Sequence, residues 1–347
     1  MKKRVVACIL AVACIASLNG CGSKFNGQDT VVEVGDEKVT ADVANFFARY
    51  QQAQFETTYS SYLGDDFWGK EVTDGKTYEE NYKDSIMDSL EEMYILDEHK
   101  DDYKVSLSDD EEKSIEDAAK KFTDSNDSAA KDTVSGDEKT VKKVLELLTL
   151  QKKMETAMTA DVDTNVSDEE AAQKKMQYVL FSTKTTGSDG KSTDMSDDEN
   201  AEVKKKAEDF QKDAASAEDF SVFATAVGAS ATDLTFDSDT TSPNEDLIKA
   251  ADKLKEGEVT DVIEADNGYY VAKVVSLLDR DATDTKKESI VSQRKSDQYQ
   301  SICKKWKKKT DIKVHKKVWN TISFADQGVT VKSTTEDTDT SSDSSSK

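Results

Sequence analysis

One proline, Pro243, and two histidines, His99 and His315, stand in a chain of 347 residues. So few imidazoles, so far apart in sequence, argue against a histidine-based metal cluster or a catalytic triad. Cysteine is as scarce. Of four, Cys8 and Cys14 fall in an apolar leader, Cys21 closes it and Cys303 stands alone, so no intrachain disulfide is expected after export. Neither a Walker-type loop nor a Gly-x-Gly-x-x-Gly run occurs, which removes the sequence signals for phosphate cradles and dinucleotide binding. The Asp-rich stretch 192–200 lacks the central Gly and closing Glu of a calcium-binding loop. No cofactor and no metal is expected. Positive charge is the last shortage: 47 Lys and Arg face 71 Asp and Glu, a net charge of −24. A surface of that sign argues against nucleic-acid binding, which needs a basic footprint.

What is present begins with the leader. Met1-Lys-Lys-Arg4 is basic, Val5–Leu18 is apolar, and Leu18-Asn-Gly-Cys21 ends the run. The apolar part is shorter than the ~20 residues that span a bilayer. It resembles a bacterial lipoprotein signal, residues 1–20, which implies that Cys21 is acylated and becomes the mature N-terminus. Residues 21–30 then serve as a polar tether, and the protein is expected outside the cytoplasm, lipid-anchored to the outer face of the cell membrane. Each buried CH₂ of such an anchor contributes about 0.8 kcal/mol. An ordinary cleaved secretory signal is the alternative.

Residues 31–170 read as a mostly helical domain. Val31–Val34, Gly35-Asp36 and Lys38-Val39 form a hairpin pattern, and Thr40 opens a helix carrying Phe46, Phe47, Tyr50 and Phe55. Residues 65–76 read as a loop. A helix from about Tyr78 to His99 places Tyr82, Ile86, Leu90, Met93 and Tyr94 on one side. Ser108-Asp-Asp-Glu111, Ser167-Asp-Glu-Glu170 and Ser196-Asp-Asp-Glu199 are capping boxes. Residues 123–136 read as a linker, and Val141, Val144, Leu145, Leu148 and Met158 as one face of a long helix. The aromatic stripe Phe46–Phe55 has two readings: helix core, or rings lining an open groove for client polypeptides.

Residues 174–278 form a unit of strand, helices, strand, strand. Tyr178–Phe181 is a short apolar strand. Val203, Ala207 and Phe210 share a helical face, as do Phe220, Phe223, Ala224 and Val227. A helix through Leu247, Ala250, Ala251 and Leu254 is stopped by Gly257. Asn267-Gly268 is the strongest hairpin signal in the chain. Residues 184–195 read as a polar, mobile insertion, and Ala231–Phe236 as a shortened loop.

In that order the pieces resemble the parvulin (PpiC-type) peptidyl-prolyl isomerase domain. The family's opening strand is matched by Tyr178-Val179-Leu180, its middle helix by Phe220–Ala224, and its third helix by Leu247–Ala250, Leu254 and Gly257-Glu258. Its closing strand is matched by Gly268-Tyr269-Tyr270-Val271-Ala272. The resemblance implies a site at Tyr178, Ser230 and Tyr270, with Leu247, Phe236 and Asn267 beside the substrate. Parvulins carry histidine at both central positions, where this chain has Tyr178 and Tyr270. Two tyrosines keep a hydrogen-bonding pocket floor without imidazole proton sharing. They are also ordinary half-buried strand aromatics, and both readings stand.

Residues 283–332 read as a long helix through Ile290, Val291, Ile302 and Trp306, then strands at 312–314, 318–324 and 329–331, packing back on the N-terminal domain. Residues 333–347 hold no apolar side chain and are expected to be a disordered tail. Between Lys304 and Lys317 lie eight lysines and one acid, Asp311. That segment either complements the acidic body or faces an anionic membrane or wall polymer.

The whole layout resembles exported foldases of the PrsA/SurA type, and the fold class expected is α+β: a mostly helical chaperone domain with an inserted parvulin-like α+β domain. The resemblance implies binding of unfolded or proline-containing exported polypeptides, with the isomerase domain degenerate. An active isomerase using Tyr178, Ser230 and Tyr270, and a solute-binding or structural lipoprotein, are the competing readings.

Overall fold

The computed structural model describes residues 12–13, 26–64, 66–187, 190–325 and 328–331. The Cys21 site and the 333–347 tail lie outside them, and of the leader only Val12–Ala13 is described, paired antiparallel with Thr330–Val331. No described helix is long and apolar enough to cross a membrane.

The chain divides into two compact units, residues 1–161 with 297–347, and residues 162–296. The first contains β1 (Thr30–Val34), β2 (Glu37–Thr40), α1 (Ala41–Leu63), β3 (Glu71–Thr73), β4 (Lys76–Thr77) and α2 (Tyr78–Glu98). It continues with α3 (Asp109–Ser125), α4 (Ser128–Val134) and α5 (Glu138–Met158). The second holds α6 (Asp168–Ala171), β5 (Lys174–Ser182), β6 (Lys184–Thr186), β7 (Ser192–Asp194), α7 (Asp197–Ala214) and α8 (Phe220–Ala226). After these come β8 (Thr232–Phe236), α9 (Glu245–Asp252), β9 (Ile263–Ala265) and β10 (Gly268–Ser276). α10 (Arg280–Lys307) starts in the second unit and ends in the first, which closes with β11 (Ile312–Val314) and α11 (Lys316–Trp319). The fold class is α+β.

In the first unit, Thr77, Ser108 and their partners Glu80 and Glu111 close reciprocal capping boxes that start α2 and α3. The apolar faces of α1, α2, α3 and α5 share one core, with Phe46, Phe47, Leu90, Ile115 and Leu147 all at most 5% exposed. The stripe on α1 is therefore mostly core. Only Tyr59 and Tyr62, at 48% and 85%, are exposed aromatic rings among the described residues. The 65–76 stretch is more ordered than a loop: Phe67 and Trp68 are buried in a 3-10 turn and β3 pairs with β4. Residues 128–134 of the expected linker form α4, capped by Asp127 and seated by Ala130 and Val134.

The C-terminal segment is held on α1 and α2 by side chains that grip its main chain. Lys83 Nζ donates to the carbonyls of Trp319, at 3.2 Å, and Ile322. Glu79 accepts from the N–H groups of Phe324 at 2.8 Å and Ala325 at 3.2 Å, and Glu56 from that of Val329 at 3.1 Å. Trp319, Ile322, Phe324 and Val329 complete the core, each contributing roughly 1.5–3 kcal/mol by burial. These contacts favour a helical turn at 316–319 over the strand expected at 318–324.

In the second unit four antiparallel strands run in the order β9-β10-β5-β8. The insertion at 184–195 contains the antiparallel ribbon β6–β7, and the expected short loop at 231–236 contains the edge strand β8. Ser196 and Glu199 form the capping box of α7.

Asp237 ties β8 to α10, accepting from Lys286 at 2.9 Å, Gln173 at 2.8 Å and Thr240 at 3.0 Å. Burial pushes its carboxyl pKa up, but the hydrogen bonds from Lys286, Gln173 and Thr240 outweigh it and hold the group well below the carboxylate range. A depressed folded pKa stabilises fully above the unfolded value, near 3.9, and that stabilisation is lost as pH falls below it. Asp237→Asn is expected to cost the second unit about 2 kcal/mol at pH 7. It is also expected to flatten the acid limb of that unit's stability curve, read by amide hydrogen exchange in β8 between pH 3 and pH 7.

Candidate functional site

Alternation along the strands sends neighbouring residues to opposite faces. Met176, Tyr178 and Leu180 of β5, Leu234 and Phe236 of β8, and Tyr270, Ala272 and Val274 of β10 share one face with Leu247, Ile248 and Ala251 of α9. Val179, Phe181 and Val271 face the other way, onto Phe210, Ala214, Phe220 and Ala224 of α7 and α8.

Register brings the two tyrosines together. Tyr178 lies opposite Ala272 on one side and Thr232 on the other, while Tyr270 lies opposite Leu180. The tyrosines are thus diagonal neighbours, within reach of aromatic side chains. Their ring centroids are 5.9 Å apart with planes inclined at 49°. Ala272 opposite Tyr178 leaves room for that approach. Tyr270 is 2% exposed and Tyr178 is half-buried.

The Asp266-Asn267 turn positions one hydroxyl. Asn267 Nδ2 donates to Tyr270 Oη at 2.9 Å, and Asn267 carbonyl accepts from Thr183 N–H at 3.1 Å. Gly268 follows at φ 141°, where its main chain passes against Phe181 with no room for a Cβ. Tight passage at glycine and the Asn267 side chain together fix where the Tyr270 phenol ends.

Not all of the expected set gathers. Ser230 is exposed just before β8 and lines a shallow surface groove with Ser221, Val222, Thr225, Ala226 and Ala231. Neither tyrosine lines that groove. Leu247 and Phe236, expected beside substrate, are at 0% exposure. They present no surface in this conformation; they support Tyr270 and Met176 from beneath. Thr232, exposed and directly opposite Tyr178, is a flanking residue the sequence reading passed over. Its signal was the alternation of Leu234 and Phe236 with polar neighbours, a period-two strand pattern.

The face can offer phenolic O–H groups, each both donor and acceptor, above an apolar floor. It suits a substrate with one polar group to orient and little charge to stabilise.

The family model of the PPIC-type peptidyl-prolyl isomerase (PPIase) domain matches residues 185–285. That span includes Ser230, Leu247, Asn267 and Tyr270, and begins after β5, whose place is fixed here by pairing with β10. No curated protein sequence matches the chain. Among solved structures the chain is similar to the foldase protein PrsA of Streptococcus pneumoniae, at 22% identity over 74% of this chain and 98% of that one, with a TM-score of 0.29. It is similar to the foldase protein PrsA of Lactococcus lactis at 14% identity, over 86% and 98% of the two chains, with a TM-score of 0.32. A SurA-like chaperone of Campylobacter jejuni is 11% identical over 82% and 98%, with a TM-score of 0.29.

Proposed function

We propose that this chain, which carries a PPIC-type PPIase domain, is a membrane-anchored foldase of the PrsA type that holds extended exported polypeptides outside the cytoplasm. Its isomerase face has phenols where that family has imidazoles, and peptide binding outlasts catalysis there. The observation that carries this reading is the Tyr178–Tyr270 pair on one sheet face, where β5 pairs with a strand of the 185–285 span that matches the family model.

The chemistry that such a face supports is modest. Rotation about a peptidyl-prolyl bond is slowed by amide resonance, with a barrier of about 18–20 kcal/mol. A site lowers it by favouring the twisted amide, whose nitrogen regains a lone pair and whose carbonyl sheds negative charge. The apolar floor formed by Leu180, Leu234 and Ala272 favours the less polar twisted state. Tyr178 Oη is the donor better placed to reach the prolyl nitrogen, because Tyr178 is half-buried and Tyr270 is 2% exposed; the Tyr270 oxygen accepts from Asn267 and is held in place by it. No covalent step is needed.

Client binding has a second support in the first unit, where Tyr59 and Tyr62 stand exposed at the end of α1. Tyrosines give broad contact area at low entropic cost, which suits clients of varied sequence.

A proline-peptide isomerisation assay on the unlipidated chain tests the catalytic half. Turnover is expected to be slow, and Tyr178→Phe with Tyr270→Phe is expected to abolish what remains while leaving suppression of client aggregation unchanged. Fast turnover lost with those hydroxyls would instead favour a working Tyr/Ser/Tyr isomerase.

A further inference from the structure

The lysine-rich segment that ends α10 is not absorbed by the foldase reading. Lys307 is paired, at 2.7 Å to both Asp88 and Glu91, and Lys313 lies 3.5 Å from Glu33. Lys304, Lys305, Lys308, Lys309, Lys316 and Lys317 are all exposed and form no ion pair among the described residues. Six free cations within fourteen positions, in a chain of net charge −24, make a local field opposite to that of the body.

The fold sets the end of this segment beside β1. β11 pairs with β1, Val314 opposite Val32, and His315 N–H donates to Val31 carbonyl at 2.8 Å. Lys316 and Lys317 therefore follow directly on the strand pairing that holds the first residues of β1. Thr30 stands nine positions after Cys21. Nine residues reach at most about 30 Å when fully extended. With Cys21 lipidated, as the leader implies, Thr30 stays within that distance of the bilayer, and Lys316 and Lys317 follow the strand that pairs with β1.

Charge range decides which field a nearby membrane feels. At physiological salt the Debye length is about 8 Å, so acids across the body are screened while lysines at the surface are not. We propose that this face rests against the anionic headgroups of the membrane that holds the tether, orienting the first unit on the bilayer. The inference rests on the tether and not on the tyrosine face. Each lysine near such a surface strengthens partitioning about five-fold.

The test is sedimentation of the unlipidated chain, Gly22 to Lys347, with vesicles of phosphatidylglycerol mixed into phosphatidylcholine, against vesicles of phosphatidylcholine alone. Binding to the anionic vesicles is expected, falling as salt is raised. Lys304→Gln with Lys305→Gln, Lys308→Gln and Lys309→Gln is expected to weaken it at least about 100-fold, and Lys316→Gln with Lys317→Gln about 20-fold. Four substitutions on other helices of the first unit, at Lys113, Lys120, Lys121 and Lys139, are expected to change it less than about three-fold, since they lie outside the segment. Circular dichroism checks folding, and should the quadruple variant unfold, the Lys316/Lys317 pair carries the test. Absence of binding by the native chain, or equal binding by the variants and the controls, overturns the proposal. So does binding to soluble poly(glycerol phosphate) without binding to vesicles, which would assign the patch to a wall polymer.

Discussion

Gly268→Ala is expected to destabilise the second unit by at least about 3 kcal/mol, through mechanisms that rank among the most damaging single changes. A Cβ at this position would lie 2.2 Å from Phe181 carbonyl oxygen and 2.9 Å from both Phe181 carbonyl carbon and Ser182 Cα. All three are backbone atoms of β5, and none can rotate away. The φ of 141° adds strain for any L side chain. Relief requires β10 to part from β5 at the end where Gly268 pairs with Ser182, and that pairing sets the Tyr178–Tyr270 distance. Hydrogen exchange should speed up at amides of β5 and β10 while those of α2 and α5 keep their protection. Gly190→Ala is the control: its φ of 76° is also left-handed, but nothing lies within 4 Å of the added carbon. It should cost only about 1 kcal/mol. Comparable losses at the two glycines would mean that the close strand passage is not what restricts position 268.

Lys83→Met should cost the first unit about 3 kcal/mol, because it removes one donor and orphans two acceptors. The ammonium is buried, donates to the carbonyls of Trp319 and Ile322, and sits 4.9 Å from the Trp319 ring centroid. Desolvation lowers its pKa, and the charge of the nearby Glu79 carboxylate offsets part of that fall. Methionine keeps the stem and its packing but offers no hydrogen. At roughly 2–4 °C per kcal/mol for a unit of this size, the midpoint should fall about 6–12 °C. Trp68, Trp306 and Trp319 all belong to the first unit, so tryptophan fluorescence follows its unfolding selectively. Lys83→Arg, which retains donors in a larger head, should recover part of the loss. An unchanged midpoint in the methionine variant would show that the carbonyls find other partners.

Elements with local signals were legible. The Ser108 and Ser196 boxes start helices, and Asn267-Gly268 joins β9 to β10. Misread elements owe their form to distant partners. β8 is a polar edge strand with only Phe236 fully buried, and β5 across the ladder is what makes it a strand. α4 is too short to show helical periodicity, and its seat is the core of the first unit. Residues 318–324 are apolar enough for a strand, yet Lys83 and Glu79 claim the main-chain groups that a neighbouring strand would need.

The site was legible in part for the same reason. Tyr178 and Tyr270 lie on strands whose alternation can be read directly, and the register then makes them neighbours. Ser230 was aligned by its place between α8 and β8, which says nothing about where a side chain outside a strand comes to rest. Leu247 and Phe236 were assigned by analogy to a surface, whereas their apolar character and position facing the sheet favour burial.

The central claim is that the chain binds extended polypeptide independently of phenol-assisted isomerisation. Light scattering of a denatured client diluted into the native unlipidated chain, and into the chain with Tyr178→Phe and Tyr270→Phe, measures that most directly. The account expects equal suppression of aggregation by both proteins. No suppression by the native chain, or suppression lost with the two hydroxyls, would contradict it.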